Sequence, residues 1–277
     1  MPFDISFSSR EWLDYYAKST YDGQIFLWSI VEVPLKNTSV FWVVIWIKNE
    51  PPKEEEKSIC DLICSYPIIS EATIRVIKEL SILYCLPLHR TLNLFLPKFV
   101  FSKLEKWAFL DIVDISLEHN LKKETWLEII HLINGNRTNV LSKELTPWSV
   151  LVFPDDLSID SFLSGKQELI KDILIYKNGL SYSKKYRLFL DVLKRKKDIL
   201  IWTRKILQYN LARYEKIVYI EDAMIKNIFN YTDKLRNLDV LIALWNTQNF
   251  NIKIITTLPS IELLQKRKRY SIKYRTC

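Results

Sequence analysis

Residues 198–222 read DILIWTRKILQYNLARYEKIVYIED. The runs at 198–202 (DILIW) and 216–220 (KIVYI) are almost wholly apolar and β-branched, with no polar face alternating through them. A strand of this kind needs cover on both sides, the condition met in a parallel sheet flanked by helices. Outward from these two, runs of the same kind stand at 128–133 (EIIHLI), 149–153 (SVLVF), 172–176 (DILIY) and 252–256 (IKIIT). Stretches of helical periodicity lie between them, for example at 183–195 and 235–248. Strands alternating with helices predict an α/β fold with one parallel sheet over residues 123–277.

The pattern upstream is different. Residues 25–33 (IFLWSIVEV) and 40–47 (VFWVVIWI) predict a β-hairpin or small barrel fragment, parted by Pro34 and the polar stretch Lys36–Ser39. Residues 54–64 and 70–84 follow helical periodicity, with Ser70 as N-cap, Glu71 in the first turn and Pro87 closing the second helix. A short apolar segment, 88–96, ends at Pro97. Residues 1–98 are expected to form a small α+β, β-barrel-like unit, joined to the second by a linker at 99–122.

Composition narrows the function. The chain of 277 residues carries a net charge of +8, which favours a polyanionic partner. Cys60 and Cys64 stand at i,i+4 with no second pair to complete a zinc site, so the cysteines read as buried small hydrophobes in a reducing cytoplasm. No metal site, signal peptide or membrane span is expected: the longest apolar run, Val40–Ile47, is too short to cross a bilayer as a helix. The three histidines show no ligand spacing, and no nucleophile–base arrangement supports a hydrolase.

A parallel sheet binds ligands at the carboxyl ends of its strands. The first such turn is Asn134-Gly135-Asn136-Arg137-Thr138, where a phosphate loop would sit. Such a loop needs several glycines to bring backbone N–H groups around phosphates, a Lys for the outer phosphates and a Ser/Thr for magnesium. Here one Gly remains, Arg137 replaces Lys, and Thr138 is kept. The run 216–220 leads into Glu221-Asp222, an acidic pair resembling the metal-and-water carboxylates of nucleotide hydrolases, but Ile220 occupies the first carboxylate's place.

These segments, in order and at near-constant spacing, resemble the replication-restart helicase family of primosomal protein N′ (PriA). Leu13-Asp14-Tyr15 is similar to the family's Phe-Asp-Tyr. Val31-Glu32-Val33-Pro34-Leu35-Lys36 resembles its Val-x-Val-Pro-Phe-Gly, with Lys36 in place of Gly. Lys57 through Pro67, the helix end Leu83–His89, and Leu96-Pro97 match further elements. In the second half Val152-Phe153-Pro154-Asp155 resembles Val-Pro-Glu, and Lys177-Asn178-Gly179-Leu180 resembles His-Ser-Gly-Leu. Ile201-Trp202-Thr203-Arg204 resembles Ile-Gly-Thr-Arg. The helicase box falls on Ile220–Ala223, and Ser-Ala-Thr-Pro-Ser-Leu-Glu on Thr256–Glu262.

The resemblance implies a 3′ DNA-binding domain over 1–98 and a degenerate RecA-like first helicase lobe over 123–277. It implies DNA contacts at Asp14, Tyr15, Lys36, Lys57, Thr203 and Arg204, with the Asp14 carboxylate accepting a hydrogen bond from a terminal 3′-hydroxyl. Only 33 residues separate Pro97 from His131, too few for the family's winged-helix domain, and the sequence stops short of a second lobe. The expectation is a DNA-binding replication-restart protein that recognises forked or 3′-ended DNA without helicase activity and without an assigned cofactor. Two alternatives stay open: a weak DNA-dependent ATPase using ATP and magnesium at Arg137, Thr138 and Glu221, and a protein-interaction scaffold. Basic runs at Lys194–Lys197 and Lys266–Arg269 are further candidates for phosphate contact.

Overall fold

The structure, a computed structural model, describes residues 15–48, 51, 54, 56–65, 69–96, 125–133, 137–166, 168, 171, 173–177, 179–193, 197–208, 211, 214–221, 228–230, 235–248, 250–270 and 272–276. The chain divides into two compact units, Met1–Ser116 and Leu117–Cys277.

In the first unit, β2 (Ile30–Leu35) and β3 (Thr38–Val43) form the expected hairpin, and β5 (Asp61–Cys64) pairs antiparallel with the other edge of β2. Pro34 falls inside β2, although the sequence reading placed it in the separator. The strand tolerates it because β5 pairs only with Ile30–Glu32, so no ladder bond is lost on that side. A second, two-stranded parallel pair joins β1 (Tyr15–Tyr16) to β4 (Lys57–Ser58). Val31, Val33, Trp42 and Ile59 form the core here, with Tyr15, Tyr21 and Val40 packed against it.

Two helices follow, α1 (Glu71–Leu83) and α2 (Leu88–Phe95). The Ser70 hydroxyl caps α1 by accepting from the Thr73 N–H, and Pro87 stands at the N-cap of α2. The helix expected over 54–64 is instead β4, a bend and β5. Its apolar positions Ile59 and Leu62 serve the same small core from extended backbone. Cys60 and Cys85 are exposed and Cys64 half-buried, correcting the expectation of buried thiols.

The second unit is the mixed α/β fold with one parallel sheet that the alternation predicts. Its strands are β6 (Leu127–His131), β7 (Ser149–Phe153), β8 (Ile173–Ile175), β9 (Ile199–Thr203), β10 (Lys216–Glu221), β13 (Asn251–Thr256) and β14 (Lys273–Thr276). They form one sheet in the order β14-β6-β13-β10-β7-β9-β8, and every neighbouring pair is parallel. The short strands β11 (Ile228–Asn230) and β12 (Leu235–Arg236) pair separately.

The helices are α3 (Arg137–Lys143), α4 (Asp156–Leu163), α5 (Tyr182–Leu193), α6 (Asn237–Gln248) and α7 (Ile261–Tyr270). Both faces of the central strands are covered: Leu151, Phe153, Ile201, Val218 and Ile255 face one way into a continuous core. Their alternates Val150, Val152, Trp202, Ile217 and Ile254 are buried as well. This is why those strands carry no polar alternation. Gly179 holds a φ of +82° just before α5, a conformation that favours a residue without Cβ, and it is one of only four glycines in the chain.

Candidate nucleic-acid interface

Two groups of the expected residues are brought together, one in each unit. In the first unit Tyr15 and Lys57 are direct register partners across the β1–β4 pair. The Tyr15 hydroxyl donates to the Pro34 carbonyl at 3.0 Å, and its ring meets Trp42 edge-on at 5.4 Å. Burial raises its pKa, with Cys60 adding to the effect. Tyr15 is thereby fixed as a wall, carrying the chain into Asp14, which lies outside the described residues.

Pro34 leads into Lys36 at the tip of the β2–β3 hairpin, so Tyr15, Lys57 and Lys36 belong to one end of the small sheet. Lys36 is exposed and has a φ of +53°. Glycine would adopt this conformation without penalty, whereas a residue with Cβ loses about 1 kcal/mol. Lys36→Gly is therefore expected to raise the urea unfolding midpoint of the first unit by the equivalent of about 1 kcal/mol. An unchanged or lowered midpoint would show that the lysine side chain offsets its own strain.

In the second unit the register sets Thr276, His131, Thr256 and Glu221 side by side at the carboxyl ends of β14, β6, β13 and β10. The strand order thus brings Glu221 of the helicase box next to Thr256 of the segment Thr256–Glu262, and Thr256 next to His131, which precedes the turn expected at 134–138. Glu221 is buried, and one carboxylate oxygen accepts a hydrogen bond from the Ser260 hydroxyl at 2.8 Å. The same Ser260 oxygen accepts from the Leu263 N–H at 3.1 Å in the first turn of α7. Burial raises the Glu221 pKa; the Ser260 and Thr256 hydrogen bonds oppose this and the charge of Glu262 reinforces it. This carboxylate is committed to holding the turn 257–260, and the position before it is the fully buried Ile220.

Arg137 and Thr138 open α3, which runs only seven residues. The rest of that turn, Asn134, Gly135 and Asn136, and also Asp222, lie outside the described residues. Among the described residues no cluster of His, Cys, Asp or Glu has the arrangement of a metal site.

Thr203 and Arg204 lie at the carboxyl end of β9 and the start of a short 3-10 helix, Arg204–Gln208. Thr203 is 4% exposed. Arg204 has its Nε and one terminal nitrogen shut off from solvent, and its charge acts on Tyr219, whose pKa is nevertheless pushed up by burial. Thr203 thus belongs to the interior of the carboxyl end and Arg204 is half-buried beside it, a position the spacing alone did not reveal.

The basic runs are also partly spent within the unit. Lys266 pairs with Asp239 at 2.5 Å, and Arg267 lies 4.4 Å over the Tyr274 ring. The Tyr274 hydroxyl in turn shares a hydrogen bond with His131 Nδ1 at 2.7 Å. Lys197 donates to the Lys171 carbonyl at 2.6 Å, and Lys194–Lys196 lie outside the described residues. The strand β14 was not among the expected strands; Ile272 and Tyr274, just beyond the basic run, were the available signal. Among the described residues no helix is long and apolar enough to cross a membrane.

No curated protein matches the sequence. Solved structures with a similar chain path include two of the Dbp5 C-terminal domain. One is from S. cerevisiae, a variant bound to a Gle1 variant and IP6, at 11% identity and TM-score 0.40, covering 55% of this chain and 90% of that one. The other, of the C-terminal domain of the DEAD-box protein Dbp5, has 16% identity and TM-score 0.39, covering 55% and 89%. The Hef helicase domain of Pyrococcus furiosus has 12% identity and TM-score 0.36, covering 55% of this chain and 35% of that one. The family model of the PriA 3′DNA-binding domain matches residues 4–97. Those residues, which hold the Tyr15–Lys57 pair, are similar to the PriA 3′DNA-binding domain.

Proposed function

We propose that the protein binds DNA at free 3′ ends or forks, in the manner of a replication-restart factor, and does so without ATP-driven unwinding. The observation that carries this reading is the direct pairing of Tyr15 with Lys57 inside the segment that matches the 3′DNA-binding domain. The pairing puts a cation beside the chain that leads into Asp14. A carboxylate there accepts a hydrogen bond from a terminal 3′-hydroxyl, and the lysines meet phosphates, so polarity is read and base sequence is not. The buried Ile220, standing where the first carboxylate of such a site would be, supports the second half of the proposal: its side chain has no oxygen to hold magnesium.

The test compares a fork carrying a free 3′-hydroxyl with the same fork blocked by a 3′-phosphate, alongside ATP turnover in the presence of single strands. Wild type is expected to prefer the free end by about tenfold, the value of one charge-assisted hydrogen bond. Asp14→Ala is expected to erase that preference while leaving the salt-dependent background intact. Equal affinity for blunt duplex and both forks would reduce the reading to general basic attraction. ATP turnover stimulated by single strands would favour the ATPase alternative at Arg137, Thr138 and Glu221.

A further inference from the structure

At the end of the β2–β3 hairpin away from Lys36, the ladder continues past the strands: Trp28 N–H donates to the Val44 carbonyl at 2.7 Å, and Val44 N–H to the Ser29 carbonyl at 2.9 Å. This brings residues 26–28 alongside the chain leaving β3. Both segments carry large apolar side chains in water: Phe26 is 51% exposed, Leu27 46%, Trp46 74% and Ile47 46%. Lys78 of α1 places its ammonium 6.0 Å from the Trp28 ring, and Lys48 is exposed next to Ile47. Aromatic rings beside lysines, in a chain of net charge +8, complement an anionic polymer that also presents flat apolar faces.

We infer that this end of the first unit is a stacking platform for unpaired bases of the DNA strand whose 3′ terminus lies at the Tyr15–Lys57 end. The inference rests on the proposed 3′-end reading and extends it to a second subsite. The six residues of β2 separate the two ends by about 20 Å at ~3.3 Å per residue. At ~3.4 Å per stacked nucleotide this spans roughly six nucleotides, within the site sizes of single-strand binding folds. Trp46 is the principal stacking surface, because every base has a π-face and stacking is indifferent to sequence. Lys48 and Lys78 supply the adjoining phosphate contacts.

The experiment measures fluorescence anisotropy of 3′-hydroxyl oligothymidylates of two and eight nucleotides with the whole chain. Wild type is expected to bind the longer strand about tenfold or more tightly. Trp46→Ala is expected to flatten that length dependence while leaving dinucleotide affinity unchanged, and Trp46→Phe to restore most of it. Unaltered thermal unfolding of Trp46→Ala, expected for so exposed a side chain, shows that the fold is intact. An unchanged length dependence in Trp46→Ala overturns the inference, as does self-association that Trp46→Ala abolishes, which would make the patch a protein interface. Failure of the 3′-end reading is distinguishable: wild type would then keep its length dependence but bind 3′-phosphate and 3′-hydroxyl strands alike.

Discussion

Replacing Trp202 by glycine is expected to remove about 4 kcal/mol of stability from the second unit. Trp202 sits on β9 opposite Val152 of β7, fully buried, with its ring stacked on Tyr176 at a centroid distance of 3.3 Å and 20° between planes. The tryptophan has become part of the packing between β8 and β9, which Tyr176 joins by its N–H to the Ile201 carbonyl at 2.9 Å. Truncation deletes its transfer free energy, leaves a cavity that close-packed strands cannot collapse, and adds the backbone entropy of glycine in a strand. For a unit of this size the melting midpoint is expected to fall by roughly 10 °C or more. Far-ultraviolet circular dichroism during heating, with urea titration as a second measure, checks the figure. A loss below about 1 kcal/mol would mean that neighbouring side chains repack into the site and that the tryptophan is dispensable.

Trp202 also marks where the sequence is legible and where it is not. The five-residue runs at 149–153 and 198–202 announce buried parallel strands because burial on both faces leaves no room for polar alternation. The strand order was not legible. Nothing local in Thr256 or Glu221 says that β13 inserts between β6 and β10, which only long-range pairing decides. The stretch 54–64 failed for a related reason. Ile59 and Leu62 stand at a helical spacing and Leu62 and Cys64 at an extended one, so the short window is ambiguous, and pairing of 57–64 with Tyr15, Glu32 and Ile30 decided for strands.

The candidate DNA end was legible as chemistry, in Tyr15, Lys36 and Lys57, but not as geometry. The sequence separates Tyr15 from Lys57 by more than forty residues, and only the fold makes them register partners. Conversely, Lys266 and Arg267 look like a solvated cationic run. The sequence does not show that Lys266 is half-buried against Asp239 upstream, or that Arg267, though exposed, lies over the Tyr274 ring beyond the run.

Glu144→Ala is expected to destabilise the second unit by about 3 kcal/mol, more than its place in a short turn after α3 suggests. The carboxylate is 8% exposed and bridges two lysines: Lys253 Nζ at 2.6 Å and Lys216 Nζ at 3.1 Å. Their side chains are only 13% and 15% exposed. Removing Glu144 leaves Lys216 without its partner, and leaves Lys253 with the distant Glu128 at 3.8 Å. The penalty is that of two poorly hydrated cations brought together, and it exceeds the net worth of the intact bridge.

The same site sets an acid limit. Burial alone would push the Glu144 carboxyl up, but the two lysines outweigh it and hold its pKa below the ordinary value of about 4.5. Its contribution is therefore complete above that value and is lost as pH falls through the lower, folded-state pKa. Glu221 works with the opposite sign: its raised pKa gives a contribution that is complete below about 4.5 and declines as pH rises through the folded value. Urea midpoints measured from pH 7 down to 3 should thus fall steeply for wild type below about pH 4.5, and less steeply for Glu144→Ala. Parallel curves for the two proteins would show that the bridge is not the acid-labile element, and that Lys216 and Lys253 find other partners once Glu144 is gone.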